Sequence, residues 1–197
     1  MVAISRRALL QLAAVGSTAA FLTSNATAAS GASTPPGLPS VETSSGAIDA
    51  YVYKTRFSGI ATLLEIQEEY RRVVPIFPLV LPANWSFPDD PGLGAPDPKM
   101  LWERGNGVVA AYLIWQSAIV NEAYEGHKRG DSGQKDHFLN VLEAAYATDV
   151  RKAVILDDDN VFINGTKATQ RTTASRSPLQ AAREGDFAPM RSLFGLN

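Results

Sequence analysis

Two histidines and several nearby carboxylates are the residues of this chain whose types and spacing could perform acid–base or metal chemistry. His127 and His137, the only histidines, lie near the two ends of the polar stretch 126–137, which separates two apolar runs. If that stretch joins two antiparallel helices, carboxylates come close to both imidazoles. These are Glu122, Glu125, Asp131 and Asp136. Such a cluster transfers protons or binds a metal ion, so His127, His137, Glu122 and Asp136 are our candidate catalytic residues.

The spacing of these residues does not match that of a di-metal bundle. Ferritin-like proteins use Glu-x-x-His on facing helices, whereas the corresponding stretches here are Glu122-Ala-Tyr-Glu125 and Gln134-Lys-Asp-His137. A solvated, well-capped loop explains the same residues. The chain has no cysteine, which excludes disulfides, iron–sulfur clusters, thiolate zinc sites and a thiol nucleophile. We therefore predict neither a metal nor a cofactor.

Other catalytic motifs are missing from the sequence. It contains no Gly-x-Ser-x-Gly, no dinucleotide fingerprint and no phosphate-binding loop. The run Asp157-Asp-Asp-Asn160 contains enough oxygen ligands for calcium, but Phe162 and Ala168 occupy the positions where an EF-hand needs glycine and glutamate. We interpret the run as an acidic turn.

The N-terminal residues indicate export. Ser5-Arg6-Arg7-Ala8-Leu9-Leu10 leads into a short apolar stretch that ends before Ala26-Thr27-Ala28, an order typical of a removable signal peptide. These six residues, with Gln11 after them, resemble the twin-arginine translocation motif, with Leu9 where Phe is typical and Gln11 where Lys is usual. The resemblance implies export of a folded protein to the periplasm or the extracellular space, or to the thylakoid lumen if the chain is of plastid origin.

Composition divides the chain into three parts. Residues 1–28 form the predicted signal peptide, residues 29–46 a flexible Ser/Pro/Gly/Thr-rich spacer, and residues 47–197 a single helical domain. Without residues 1–28 the chain keeps 16 basic and 20 acidic residues, a net charge of −4. That balance argues against nucleic acid or an anionic membrane as a partner. Since the apolar runs are too short or too interrupted to span a bilayer, we expect no integral membrane segment after signal removal.

Apolar periodicity predicts a mainly α fold, an antiparallel bundle of three or more helices. Residues 57–74 have an amphipathic pattern, with Ile60 and Leu64 on the apolar side and Glu68 and Glu69 on a solvated one. Residues 99–125 are apolar nearly all round and predict an enclosed central helix. Residues 134–154, after a cap at Asp131 or Ser132, form its antiparallel partner.

Two segments interrupt this pattern. Residues 75–98 contain seven prolines together with many apolar side chains, so they form extended backbone that either packs along the helices or presents an aromatic surface to a partner. After position 154, two β-prone runs flank the acidic turn. They are compatible with a small β-hairpin near the C-terminus.

Three functions are compatible with the sequence. The first is an exported accessory or escort subunit that docks on a partner enzyme, an oxidoreductase, and is exported with it. Small subunits of exported flavoprotein dehydrogenases resemble this chain in layout, with a twin-arginine signal before a small helical domain. The second is a cofactor-free exported hydrolase or lyase that uses His127 or His137 as acid or base. The third is a ligand-binding or envelope structural protein.

Overall fold

A computed structural model of the chain describes residues 3–4, 45–94, 100–155, 157, 159–166, 175–194 and 196. The predicted signal peptide, apart from Ala3 and Ile4, and the spacer up to residue 44 lie outside the described residues. The fold is mainly helical, as predicted. Its helices are α1 (Ser45–Lys54), α2 (Leu63–Val73), α3 (Asn106–Lys128), α4 (Ser132–Tyr146), α5 (Asp149–Val154), α6 (Val161–Asn164), α7 (Pro178–Arg183) and α8 (Ala188–Leu193). Its strands are β1 (Ala3–Ile4), β2 (Ile60–Ala61) and β3 (Leu101–Glu103).

Helix α3 is the centre of the bundle, and it packs against α2, α4 and α5. Its side chains are buried along most of its length, Trp115 and Ile119 completely, as expected for a helix that is apolar nearly all round. It begins at Asn106 and not at residue 99. The preceding residues form β3, which lies between β1 (parallel) and β2 (antiparallel). None of the described helices combines the length and the hydropathy that a membrane crossing requires.

Helix α2 is shorter than the predicted segment 57–74 because a capping box fixes its start. The Thr62 side chain accepts a hydrogen bond from the Glu65 amide, and the Glu65 carboxylate accepts one from the Thr62 amide. The residues before Thr62 form a loop and strand β2. The helix ends at Val73, and a 3-10 turn containing Pro75 follows, as expected where proline removes a backbone donor.

The contact between α2 and α3 corrects the prediction that Glu69 lies on a solvated face. Glu69 is fully buried, and its carboxylate oxygens accept hydrogen bonds from the amides of Gly105 at 3.0 Å and Gly107 at 2.9 Å. Gly105 precedes α3 with φ of 97° and offers no capping side chain, so Glu69 caps α3 from the neighbouring helix. Glu68 is exposed, as predicted.

Helices α3 and α4 form the predicted antiparallel hairpin. The Asp131 side chain accepts a hydrogen bond from the Gln134 amide and caps α4. The predicted single helix over residues 134–154 is wrong, because α4 ends at Tyr146 and the Thr148 side chain caps a new helix, α5. The break places Arg151 on a short separate helix.

The described part of the proline-rich segment, residues 75–94, packs along the helices. The Trp115 indole donates to the Val80 carbonyl and the Tyr70 hydroxyl to the Pro88 carbonyl, each at 2.9 Å. The Phe77 ring makes edge contacts with other aromatic rings. These contacts match the first of the two predicted arrangements for much of residues 75–94, whereas Ile76 and Val80 are exposed.

Among the described residues, the two β-prone runs after position 154 do not pair with each other. Val161–Asn164 form the helical turn α6, whose first amides donate to the Asp157 carboxylate. Near the C-terminus, the antiparallel pairing between described residues is one bridge, from Thr166 to Ser175. The antiparallel strands of the described fold are β2 and β3. Asp157 explains the difference, since a carboxylate that accepts two amides favours a helix start.

Gly107 provides a test of the α2–α3 contact. A Cβ at this position would lie 2.6 Å from the Tyr70 nitrogen and 2.8 Å from the Ile66 oxygen, both backbone atoms. We expect Gly107→Ala to lower the free energy of unfolding by about 2 to 4 kcal/mol, measured by urea denaturation.

The matched control is Gly133→Ala, because Gly133 is also the second residue of its helix. A Cβ there has an ordinary contact of 3.4 Å with an Asp131 side-chain oxygen. This variant should be within about 0.5 kcal/mol of the wild type or more stable. Equal effects of the two substitutions would contradict the close approach of α2 and α3.

Candidate functional site

His127 lies in the last turn of α3, and its side chain is exposed. Its ring packs against the Phe187 ring, with centroids 5.3 Å apart, and lies 6.4 Å from the Tyr124 ring. A Cβ on Gly185 would lie 3.1 Å from the imidazole, so the C-terminal residues cover one side of it. The described contacts of His127 are therefore aromatic and involve no carboxylate.

His137 lies on α4 and is half-buried. Its ring makes an edge contact with Phe138 at 5.2 Å. Its Nε2 is buried without a hydrogen-bond partner among the described residues. No hydrogen bond or ring contact between described residues joins His137 to His127.

The two candidate carboxylates have structural partners. The Glu122 carboxylate accepts a hydrogen bond from the Trp85 indole at 2.9 Å and another from the side-chain amide of Gln134 at 3.0 Å. It thereby joins the proline-rich segment to the start of α4. Asp136 is exposed and forms an ion pair with Lys135 at 3.3 Å.

The structure therefore does not bring the four candidate residues together through any described contact. Within the described residues there is also no group of three or more His, Cys, Asp and Glu side chains arranged to hold a metal ion. A catalytic role for His127, His137, Glu122 and Asp136 stays a prediction.

A second polar group, absent from the sequence-based candidates, lies at the junction of α4 and α5. The Arg151 guanidinium forms an ion pair with the Asp157 carboxylate at 3.0 Å and lies 3.8 Å from the centre of the Tyr146 ring. The Tyr146 hydroxyl donates to the same carboxylate. Asp157, the first residue of the acidic run, therefore places its carboxylate largely out of solvent. We call Tyr146, Arg151 and Asp157 the junction network.

Opposing effects act on the ionisation of the junction network. Burial alone would raise the pKa of Asp157, but the Tyr146 hydroxyl, the amides of Val161 and Phe162 and the Arg151 charge outweigh it and hold that pKa below its ordinary value. Burial and the hydrogen bond to Asp157 raise the pKa of Tyr146. The network therefore contains an ionised Asp157 and a neutral Tyr146 at neutral pH.

The exposed apolar side chains are concentrated in one part of the fold. Among the described residues, six large hydrophobic side chains are exposed, and five of them belong to residues 53–80. They are Tyr53, Ile60, Leu64, Ile76 and Val80; we call this surface the 53–80 face. The apolar pattern assigned Ile60 and Leu64 to the buried side of a helix, but they are 58% and 60% exposed.

Contacts between neighbouring elements bring together the segments that carry the 53–80 face. Tyr51 on α1 makes an edge contact with Phe77 at 5.5 Å. Tyr53 and Ile76 are close in sequence to these two rings, so they lie on adjoining elements. The Arg72 guanidinium lies 5.9 Å from the Phe57 ring, so the loop after α1 runs beside the end of α2. Strand β2 and the first turn of α2, which contain Ile60 and Leu64, follow directly.

The charges around the 53–80 face are mostly positive. Its exposed basic residues are Lys54, Arg56, Arg71 and Arg72. Of the three acidic residues in the stretch, Glu69 is buried and Glu65 pairs with Arg104 at 2.8 Å, which leaves Glu68. An apolar surface with a basic rim, on a chain whose net charge is −2, favours a binding partner with an acidic rim.

Comparisons with known proteins identify no relative. No protein-family model matches the chain. No curated protein and no solved structure matches it either.

The junction network generates a pH-dependent prediction. Asp157→Asn leaves the buried Arg151 without its ionic partner, so we expect a loss of about 2 to 4 kcal/mol of unfolding free energy at pH 7. The pKa of Asp157 is lower in the folded state than its ordinary value of 3.8. The stability that the ionised carboxylate contributes is therefore present above pH 3.8 and is lost as the pH falls through the folded pKa. The difference between variant and wild type should therefore shrink in urea denaturation at pH 3.

Asp149→Asn is the control, since Asp149 pairs with Lys152 at 2.9 Å with both side chains exposed. That substitution should cost under about 1 kcal/mol at pH 7. If the two variants lost the same stability, or if the effect of Asp157→Asn did not depend on pH, the junction network would not stabilise the fold.

Proposed function

We propose that this protein is an exported accessory subunit that binds a partner enzyme through the 53–80 face. The observation that carries the proposal is the concentration of exposed apolar side chains in that one stretch. Isolated exposed hydrophobic residues are normal on protein surfaces, whereas a connected group with a polar rim is typical of a protein-binding site.

The basic rim adds a property of the partner. Four exposed cationic side chains lie in the same stretch as the apolar ones. Charges at the rim of an interface direct association and select the partner more than they add affinity. The partner surface that fits is apolar with an acidic rim.

The twin-arginine motif supports an exported enzyme as the partner. A route that carries folded proteins suits a pair that assembles before export, in which this chain supplies the signal and the partner supplies the activity. We propose an oxidoreductase, because such enzymes bind their cofactors in the cytoplasm and are exported folded. The proposed location is the periplasm or the extracellular space.

The test is co-purification of the tagged protein from its own host. Tyr53→Gln combined with Leu64→Gln removes two apolar side chains from exposed helical positions, so the fold should persist. We expect the wild type to retain one enzyme in stoichiometric amount. The amount of that enzyme retained by the double variant should be at least about tenfold lower.

Leu193→Gln is the matched control, because Leu193 is the sixth exposed hydrophobic residue and lies on α8, outside the face. Urea denaturation should give wild-type midpoints for all three proteins. Partner retention unchanged in the double variant, or a wild type that elutes alone as a stable monomer, would contradict the proposal.

A further inference from the structure

The interior of the bundle contains polar atoms without hydrogen-bond partners. Tyr112 and Gln116 are buried at 0% and 1% exposure. The Tyr112 hydroxyl, both polar ends of the Gln116 amide and the Nε of Arg151 have no partner in the described part of the chain. Buried polar atoms in folded proteins are almost always bonded to protein or to an enclosed molecule, because an unmade bond costs more than a made one contributes.

These atoms belong to one region of the fold. Tyr112 and Gln116 are one turn apart on α3. Because helical side chains tend to point toward the N-terminus, a side chain at position 116 is expected to lie over the turn that contains Tyr112. Tyr112 interacts electrostatically with both Tyr146 and Arg151, two members of the junction network. Helix α3 also contacts α4 and α5 directly. Tyr112 and Arg151 therefore lie at the inner side of the α4–α5 junction, and Gln116 lies one turn further along α3.

The chemistry of the region selects a neutral occupant. The Arg151 charge is matched by Asp157 at 3.0 Å, so an added anion would meet that carboxylate and an added cation would meet the guanidinium. The Gln116 amide donates and accepts, the Tyr112 hydroxyl does either, and Arg151 Nε donates. An occupant that both donates and accepts satisfies all of them.

We propose that Tyr112, Gln116 and Arg151 form an internal polar site that binds a small neutral hydrogen-bonding occupant. Water and a small organic molecule with hydroxyl or amide groups share this chemistry. The site is separate from the 53–80 face, and it does not rest on the proposed function.

Two measurements on the purified full chain distinguish the occupants. For water, nuclear Overhauser cross-peaks should connect a long-lived water to the Gln116 side-chain amide. For an organic molecule, native mass spectrometry should show an added mass that disappears on denaturation. The proposal fails if both measurements are negative.

A variant pair tests the same site by the sign of a stability change. Tyr112→Phe and Gln116→Met keep the shape and remove the polar atoms, and each should lower the urea midpoint by about 0.5 M if the atoms bind an occupant. A higher midpoint in both variants would show that the atoms are unbonded and would overturn the proposal. Tyr53→Phe, which removes an exposed hydroxyl, should leave the midpoint unchanged.

Discussion

The buried carboxylate of Glu69 is the interaction on which the arrangement of the helices depends. The first turn of an α-helix has amides without intrahelical partners and the positive end of the helix dipole. In α3 these amides receive a carboxylate from α2, at 3.0 Å from Gly105 and 2.9 Å from Gly107. Burial raises the pKa of Glu69, and the amides of Gly105, Gly107 and Val108 oppose that shift. The hydrogen bonds to the Glu69 side chain form only while α2 and α3 keep this position.

This constraint also determines the outer side of α2. The backbones of the two helices approach closely at Gly107, where a side chain would meet backbone atoms of α2, and the ion pair of Glu65 with Arg104 adds a second connection. With its inner side bound to α3, α2 presents Leu64 and Arg71 outward in a fixed orientation. The cap and the part of the proposed partner surface that contains Leu64 therefore lie on two sides of one helix.

The sequence predicts the mainly helical fold and the α3–α4 hairpin because apolar periodicity and loop caps are local signals. It does not distinguish Glu68 from Glu69, which are adjacent and identical in type. The capping box of Thr62 and Glu65 is the signal that places the helix start correctly. The buried residues of α2 are Ile66, Glu69, Tyr70 and Val73, a helical stripe that includes a carboxylate. The prediction that His127 and His137 lie close together required the directions of their side chains on either side of a loop. No local sequence pattern specifies those directions.

Hydrogen exchange at the start of α3 tests the role of Glu69 most directly. The Gly105 and Gly107 amides should exchange slowly in the wild type, and Glu69→Gln, which leaves one acceptor oxygen, should remove most of their protection and cost about 2 to 4 kcal/mol of unfolding free energy. The same substitution at the exposed neighbour, Glu68→Gln, should change neither quantity. Fast exchange of both amides in the wild type, or equal effects of the two substitutions, would contradict the account.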